Sequence, residues 1–197
     1  MNAPFALQSE QVRPARLSQP DECAAIERFV AERGGSIFQR PAWLIAVEAG
    51  AGQCATGLLT WRGGAITGWL PLTEVHSPIF GRALVSSGFA VAGGVLADSE
   101  AATLALCDAA TELAQRRSCA EVELRGPAAG AGWNIRSDSH LGFVRDLAVD
   151  DEAELLAIPR KQRAEVRKGL KTDLEIAIGT DEADRAAPVS YTHLRAH

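Results

Sequence analysis

The residues best suited to chemistry form one basic stretch, 158–171, near the carboxyl-terminal end of the chain. It holds all three lysines of the protein and three arginines, namely Arg160, Lys161, Arg163, Arg167, Lys168 and Lys171. Six positive charges and one glutamate give this stretch a charge of +5, whereas the whole chain carries −5. A patch that opposes the charge of its own protein in this way indicates an anionic ligand.

The spacing of the basic residues predicts a helix with a cationic face. At about 100° per residue, Arg160, Arg167 and Lys171 lie within roughly 40° of one another. Guanidinium groups match the geometry of phosphate oxygens, which makes a phosphate-bearing ligand the natural choice. The alternative is a solvated surface helix that is basic without binding anything.

The other residues of this helix have structural expectations. Pro159 suits the first helical position. Val166 and Leu170 point away from the cations, toward a core. Lys161 and Glu165 have the spacing of an i,i+4 ion pair.

Length and composition describe an ordinary water-soluble protein. The 197 residues, 47% hydrophobic and 23% charged, suffice for one domain and the beginning of another. The acidic balance argues against a general nucleic-acid binder, so DNA is not expected as a partner. No signal-peptide layout is present, and the longest uncharged run, 83–97, is too short to span a bilayer.

The four cysteines show no metal-binding spacing, so no metal is expected. Each cysteine lies among apolar residues and is predicted to be a small core residue. We therefore expect a reduced, cytoplasmic protein.

Local signals give the order of the elements before the basic stretch. They predict a helix from Pro20 to the Gly34-Gly35 pair, an extended piece at 36–40 and a helix opened by Pro41. Strands follow at 54–61 and 66–75, joined by an Arg62-Gly63-Gly64 turn, and a third strand is predicted at 82–86. A glycine-rich loop at 88–94 is followed by a helix from the Asp98-Ser99 cap to about Arg117 and by a strand at 121–125. Further strands are expected at 142–149 and 174–178, with a short helix at 150–158. Pro71 indicates an edge strand or a bulge. The order predicts a mixed α/β fold rather than a regular βαβ repeat.

No conventional catalytic arrangement emerges from the motifs. His76 could act as a base, although a surface histidine is the commoner case. Asp138-Ser139-His140 contains the residue types of a catalytic triad, but triads are assembled in space. Gly88 and the Gly93-Gly94 pair could direct backbone N–H groups at a phosphate or form a plain turn. Glu121 and Glu123 share one face of a predicted strand. They could act as a functional carboxylate pair or be solvated surface residues.

Four blocks of sequence carry a resemblance to a known family. They are 38–43 (FQRPAW), 70–86 (LPLTEVHSPIFGRALVS), the Gly93-Gly94 pair and the 158–171 stretch (IPRKQRAEVRKGLK). Together they resemble the FemAB family, and specifically the FemAB-related proteins of PEP-CTERM and exopolysaccharide loci. Relatives often have an aromatic residue where this chain has Ala92, which leaves the role of that loop open.

The resemblance implies two tandem GNAT-like domains, each with a central, mostly antiparallel sheet flanked by helices. Residues 1–19 are polar and contain prolines, and they are expected to form a loose arm with at most a short strand. The resemblance implies a first GNAT-like domain at 20–157, a basic junction helix at 158–172 and the truncated start of a second domain at 173–187. The last ten residues, 188–197, resemble an adaptor-derived, non-native tail. Such a chain would be the amino-terminal half of a transferase and inactive alone.

The resemblance also implies the chemistry. Family members are acyl- or aminoacyltransferases, some of which build peptidoglycan cross-bridges from aminoacyl-tRNA. The six basic residues would bind an anionic small-molecule or lipid-linked precursor, and tRNA would bind through the second domain. No [QR]-x-x-G-x-[GA] match is present for coenzyme A, so no cofactor is expected in this half, and the acyl donor, aminoacyl-tRNA or acyl-CoA, stays open. The alternative is a non-catalytic module that binds RNA or acidic lipid.

Overall fold

The computed structural model describes residues 10–79, 81–126, 132–137 and 141–173. The chain divides into two compact units, Met1–Ser137 and Asp138–His197, which are described separately. In the residues that the structure describes, no helix has the length and apolar character needed to cross a membrane.

The first unit is built on one sheet with strand order β1-β2-β3-β4-β6, to which β5 adds by pairing with β3. Its strands are β1 Gln11–Pro14, β2 Cys54–Arg62, β3 Ala65–Ser77, β4 Gly81–Ser86, β5 Leu96–Ala97 and β6 Glu121–Glu123. Its helices are α1 Pro20–Glu32, a 3-10 helix Ile37–Gln39, α2 Pro41–Ala51 and α3 Glu100–Arg116. Every strand pair is antiparallel except β4 with β6. The prediction of a mixed α/β fold with a central, mostly antiparallel sheet flanked by helices is confirmed.

Helices cover both faces of this sheet because neighbouring strand residues alternate between two cores. Leu58 and Leu70 pack with α3 residues such as Leu106 on one face. Leu59 and Trp69 pack with residues of α1 and α2 on the other. Burial of whole Leu and Trp side chains at these positions is the main source of stability, at about 1.5–3 kcal/mol for each large side chain.

Capping and turn signals explain why the predicted helices form where they do. The Ser99 hydroxyl oxygen accepts a 3.2 Å hydrogen bond from the Ala102 N–H at the start of α3. Pro20 and Pro41 occupy the first turn of α1 and α2, where a missing N–H costs nothing. Helix α2 ends at Gly52 in the left-handed conformation.

Two predictions for this unit are wrong. Residues 37–39 form a 3-10 helix rather than an extended piece, because the Gln39 side chain accepts from the Ser36 N–H and closes a capping box. Pro71 lies in the interior of the central strand β3 and not in an edge strand, and it is not at a bulge, because the register shift between β2 and β3 falls at Thr60 and Trp61. Its carbonyl accepts a hydrogen bond from the Ser87 N–H on the side of β3 that pairs with β5 before Pro71 and with β4 after it. The proline nitrogen points to the same side, at the gap between these two partners, so the ladder loses no hydrogen bond there.

A buried carboxylate fastens strand β1 to helix α1. Glu22, with its side chain 6% exposed, contacts Arg13 at 2.7 Å and Arg16 at 3.0 Å. The hydrogen bond from Arg13, followed by the two from Arg16, lowers the pKa of Glu22 to about 2, although burial opposes the shift. This cluster fixes the position of residues 13–22 relative to the sheet.

The second unit contains α4 Asp151–Ala157 and α5 Arg160–Gly169. Residues 142–149 were expected to form a strand but are irregular in the structure. Glu154 contacts Arg145 and accepts a 3.0 Å hydrogen bond from the Ala148 N–H, which fastens this segment to α4 and leaves it no strand partner among the described residues. The expected strand at 174–178 and the tail at 188–197 lie outside the described residues.

Candidate functional site

Three of the sequence blocks that carry the family resemblance meet at one loop. This loop, residues 87–95, joins β4 to β5 and is called the β4–β5 loop here. It starts at the carboxyl end of β4, which with β6 forms the only parallel pair among the described strands. Helix α3 connects these two strands, and ligands of open α/β sheets commonly bind outside the carboxyl ends of such strands.

The first block contacts the loop through its main chain and two side chains. The Gln39 amide donates to the Gly94 carbonyl at 2.9 Å. The Trp43 indole N–H donates to the Gly88 carbonyl at 3.1 Å. Phe38 packs edge-on against Trp43 with ring centroids 4.8 Å apart. These contacts fasten both ends of the loop to the 3-10 helix and to the first turn of α2.

The second block supplies the strand floor beneath the loop. The Thr73 hydroxyl accepts from the Gly88 N–H at 3.1 Å, and the Pro71 carbonyl accepts from the Ser87 N–H at 3.1 Å. The indole N–H of the fully buried Trp69, one position before the block, donates to the Gln39 carbonyl at 2.7 Å. Strand β3 is therefore joined to the first block by a buried hydrogen bond as well as through the loop.

Ser87 is the most constrained residue of the loop. It is fully buried and has a φ of 44°, in the region that favours glycine. Its hydroxyl lies 2.6 Å from the Phe38 carbonyl and 3.0 Å from the Gly93 carbonyl, to which it donates. A buried hydroxyl whose proton is used in this way is a structural anchor and not a nucleophile.

Arg125 joins the carboxyl ends of β4 and β6, and sequence reasoning did not single it out. Its N–H donates to the Ser86 hydroxyl at 2.7 Å, and its guanidinium contacts the Ala90 carbonyl and the Glu123 carboxylate. An added Cβ on Gly94 would lie 2.6 Å from the Arg125 carbonyl oxygen. Gly94 is thus required for the close approach of two backbone segments, and a Cβ on Gly93 would meet the Ser87 side chain. Only an unusual density of small residues, at 86–94, signals this in the sequence.

The tip of the loop presents apolar side chains on a fixed backbone. Phe89 is 62% exposed with a φ of 64°, and Val91 is 88% exposed. Strained backbone that is held by several contacts is a feature of functional loops. No acid, base or thiol is recorded in contact with this tip within the described ranges. The arrangement can therefore hold and orient a ligand, and it offers no proton-transfer group of its own.

The basic helix α5 lies in the second unit, and the six predicted site residues differ in their roles. The Arg163 guanidinium donates to the carbonyls of Leu156 at 2.7 Å and Ile158 at 2.8 Å, so it holds the turn between α4 and α5. Lys168 pairs with Glu165 at 2.9 Å, in place of the expected pair between Lys161 and Glu165. These two cations are partly committed to the helix itself.

The remaining four cations are exposed and have no ion-pair partner in the part of the chain that the structure describes: Arg160, Lys161, Arg167 and Lys171. Two structural expectations for this helix are wrong. Pro159 is the residue before the first helical position, and Val166 and Leu170 are exposed at 38% and 73%. Helix α5 therefore has a solvent-facing cationic face without a core beneath it among the described residues.

The other sequence candidates do not form a site. His76 is an exposed residue of β3 whose backbone N–H donates to Gln53. Glu121 and Glu123 are exposed, and Glu123 pairs with Arg125. The Asp138-Ser139-His140 segment lies outside the described residues. In those residues no group of three or more His, Cys, Asp or Glu side chains could hold a metal ion.

The cysteines occupy different environments, and the expectation that all four are core residues is wrong for Cys54, which is exposed. Cys107 is buried, and Cys23 and Cys119 are half-buried. Burial, with nearby carboxylates as a smaller cause, raises the pKa of the Cys23, Cys54 and Cys119 thiols. Such thiols are poor nucleophiles at neutral pH because little thiolate is present.

Comparison with known proteins gives only distant structural likenesses. No family model and no curated protein matches the chain. A ribosomal-protein-alanine N-acetyltransferase from Brucella melitensis biovar Abortus 2308 is 16% identical, with a TM-score of 0.44 over 66% of this chain and 97% of that one. A GNAT family acetyltransferase from Staphylococcus aureus is 13% identical, with a TM-score of 0.44 over 71% and 99%.

Another solved structure, the aminoglycoside N-acetyltransferase AAC(6')-Iy in complex with CoA, is 8% identical, with a TM-score of 0.40 over 70% of this chain and 100% of that one. At this distance the likenesses do not assign an activity to the chain.

Proposed function

We propose that this chain is the amino-terminal, GNAT-like half of a FemAB-type acyl- or aminoacyltransferase that acts on an anionic envelope or exopolysaccharide precursor. The observation that carries the proposal is the meeting of three separated sequence blocks at the β4–β5 loop. Gln39 of the first block donates to Gly94 at 2.9 Å, and residues of 38–43 and 70–86 each form hydrogen bonds of 2.6–3.1 Å with Ser87 and Gly88 of the loop. If each block served only its local turn, the three blocks would not be expected to lie close together in the fold.

The chemistry that this arrangement supports is positioning. In acyl transfer a substrate amine attacks an activated ester, a C–N bond forms, and the alcohol leaves with a proton. Fixing the two reactants in attacking geometry supplies several kcal/mol of the barrier reduction without a proton-transfer residue. The β4–β5 loop suits that task, because hydrogen bonds to residues 38–43, to β3 and to Arg125 hold its base and because its tip is apolar.

In this proposal helix α5 binds the phosphates of the precursor. Arg160 and Arg167 are the cations best placed for it, because they share one face of α5 and are exposed, and the exposed Lys171 lies in the turn that follows the helix. Lys161 and Lys168 add to the local potential. Arg163 contributes less than the sequence suggests, because its guanidinium already donates to two carbonyls.

The test is titration of the full chain with a UDP-sugar, with single charge reversals as variants. Arg167→Glu is expected to weaken binding about tenfold, the effect of one charge-assisted contact. Arg28→Glu is the matched control, because Arg28 is an exposed helical arginine of the first unit. Equal affinities for the two variants would show that α5 is not the anion site.

A salt titration separates the precursor from a generic polyanion. Short RNA is expected to bind weakly at moderate salt and to dissociate steeply as salt rises. If RNA binds more tightly than the UDP-sugar at the same ionic strength, the non-catalytic binding module is the better description and the transferase proposal fails.

A further inference from the structure

A groove lies at the far edge of the sheet from the β4–β5 loop, between strand β1 and the hairpin turn that joins β2 to β3. Its volume is about 690 Å³, within the range of small-molecule sites. Its lining includes Gln11, Arg13, Trp61, Arg62, Gly63 and Gly64. It shares no residue with the three sequence blocks or with helix α5, so it serves neither part of the proposed function.

The groove exposes positive side chains to solvent more than negative ones. The Arg13 and Arg62 side chains are 38% and 44% exposed and line the groove. The carboxylates that pair with them do not line it and are largely buried, with Glu22, Glu10 and Asp98 exposed by 6%, 8% and 17%. The groove therefore presents cations to solvent while their counter-charges lie beneath the surface.

Most of the hydrogen-bonding capacity of Arg62 is unused. A guanidinium has five N–H donors. Among the described residues Arg62 makes one hydrogen bond, from Nη2 to Asp98 Oδ2 at 3.3 Å, and a longer ion pair of 3.6 Å from Nη1 to Glu10. The Arg62 guanidinium is thus oriented by two carboxylates and still has donors for a ligand oxyanion.

Trp61 adds a flat surface and an unused donor. The Arg13 guanidinium lies 5.2 Å from the centre of the Trp61 ring. The Trp61 indole N–H is buried without a hydrogen-bond acceptor, which is uncommon for a buried polar group.

The turn at the groove's end leaves room for close approach. Gly63 and Gly64 have φ values of 61° and 86°, and a Cβ added to Gly64 would meet nothing within 4 Å. The backbone of the turn is therefore open to a ligand, with no side chain in the way.

We infer that this groove binds the oxyanion of a small organic acid, a carboxylate or a phosphate ester, whose flat apolar part packs beside Trp61 and Arg13. Arg62 and the backbone of the turn hold the oxyanion.

The test follows the indole N–H resonance of Trp61 in ¹⁵N-labelled full-length chain, assigned by its loss in Trp61→Phe. Inorganic phosphate, phenyl phosphate and benzoate are titrated separately. Phenyl phosphate and benzoate are expected to shift the Trp61 resonance at concentrations several-fold below those that inorganic phosphate needs. The better of the two aromatic anions identifies the oxyanion class. No shift of the Trp61 resonance with any of the three overturns the inference.

Two charge variants make the test specific. Gln11→Glu places a negative charge in the groove at an exposed strand position and is expected to weaken binding at least fivefold. Gln115→Glu makes the same change on the exposed face of α3 and is expected to leave the affinity unchanged. Equal effects of the two variants would overturn the inference. Arg167→Glu is expected to leave the Trp61 shift unaltered, so failure of α5 to bind a UDP-sugar and failure of this groove are told apart.

Discussion

The Arg163 guanidinium donates a 2.7 Å hydrogen bond to the carbonyl oxygen of Leu156, near the end of helix α4. Two more bonds reach the Ile158 carbonyl at 2.8 and 3.1 Å. The last carbonyls of a helix lack partners within it, and a cation near them is favourable. One of the six basic residues therefore fixes the turn that leads into the basic helix.

Replacement of Arg163 by Ala is expected to loosen the α4–α5 turn. Loss of the carbonyl contacts destabilises it locally by about 1 kcal/mol, the net value of such partly exposed hydrogen bonds. Amide hydrogen exchange of residues 157–165 is expected to be about fivefold faster. Arg163→Lys is expected to restore only part of the protection, because an ammonium group cannot reach two carbonyls with a planar fork.

Arg167→Ala is the matched control for this prediction. Arg167 is exposed on the same helix and contacts no carboxylate within the described ranges. Amide hydrogen exchange at 157–165 in the Arg167→Ala variant is expected to match that of the unmodified chain. A similar acceleration in both variants would mean that Arg163 acts only through helix charge.

The stability of the first unit is expected to fall in acid because of Glu22. Its pKa is lowered to about 2 in the folded chain, so the unfolded chain binds the proton more tightly. The Glu22 contribution is thus fully present above the ordinary glutamate pKa of about 4.3 and is lost as the pH falls toward 2. The linked free energy is up to about 3 kcal/mol. Urea unfolding between pH 2 and pH 6 measures it.

Glu22→Gln is expected to lower stability at pH 6 and to flatten this part of the pH dependence. Glu32→Gln, at the exposed end of the same helix, is the control and is expected to keep the dependence of the unmodified chain. Parallel curves for Glu22→Gln and the unmodified chain would show that other carboxylates cause the acid sensitivity.

Gly94→Ala is expected to disrupt the β4–β5 loop. The new Cβ would lie 2.6 Å from the Arg125 carbonyl oxygen, and backbone cannot move aside as a flexible side chain does. A loss of about 1–3 kcal/mol follows. Gly50→Ala is the control, because its Cβ would meet nothing within 4 Å in helix α2, and a gain of up to about 1 kcal/mol is expected there. Thermal unfolding of the two variants compares them directly, and a neutral Gly94→Ala would contradict the described packing.

Local signals predict most elements of the first unit correctly. Proline at a helix start, serine at the cap of α3 and the Gly63-Gly64 turn act within a few residues, so they can be read from sequence. Tertiary contacts decide the exceptions. Pro71 reads as an edge residue until the change of strand partner beside it is known.

The candidate site was less predictable for the same reason. The meeting of Phe38, Gly88 and Gly93 depends on strand order, which no local pattern encodes. Arg125 has no distinguishing neighbours in sequence and gains its role only where β4 and β6 lie side by side. The cationic face of α5 could be predicted, since it depends on helical period alone, whereas the use of Arg163 at the α4–α5 turn required the structure.

Ser87 offers a way to separate backbone strain from hydrogen bonding in the β4–β5 loop. Ser87→Ala keeps a side chain at a φ of 44° and removes the donor to the Phe38 and Gly93 carbonyls. Leaving these buried acceptors without that donor is expected to cost about 1–3 kcal/mol. Ser87→Gly loses the same donor but relieves the strain, which is worth about 1–2 kcal/mol for a left-handed residue.

The expected order of stability is therefore the unmodified chain, then Ser87→Gly, then Ser87→Ala, as measured by urea unfolding. Hydrogen exchange at 88–94 is expected to rise in both variants, because both lose the hydroxyl that holds the loop to Phe38 and closes it on Gly93. If Ser87→Gly were the most stable of the three, the strain would outweigh the hydrogen bonds, and the Ser87 hydroxyl would not be the anchor of the loop.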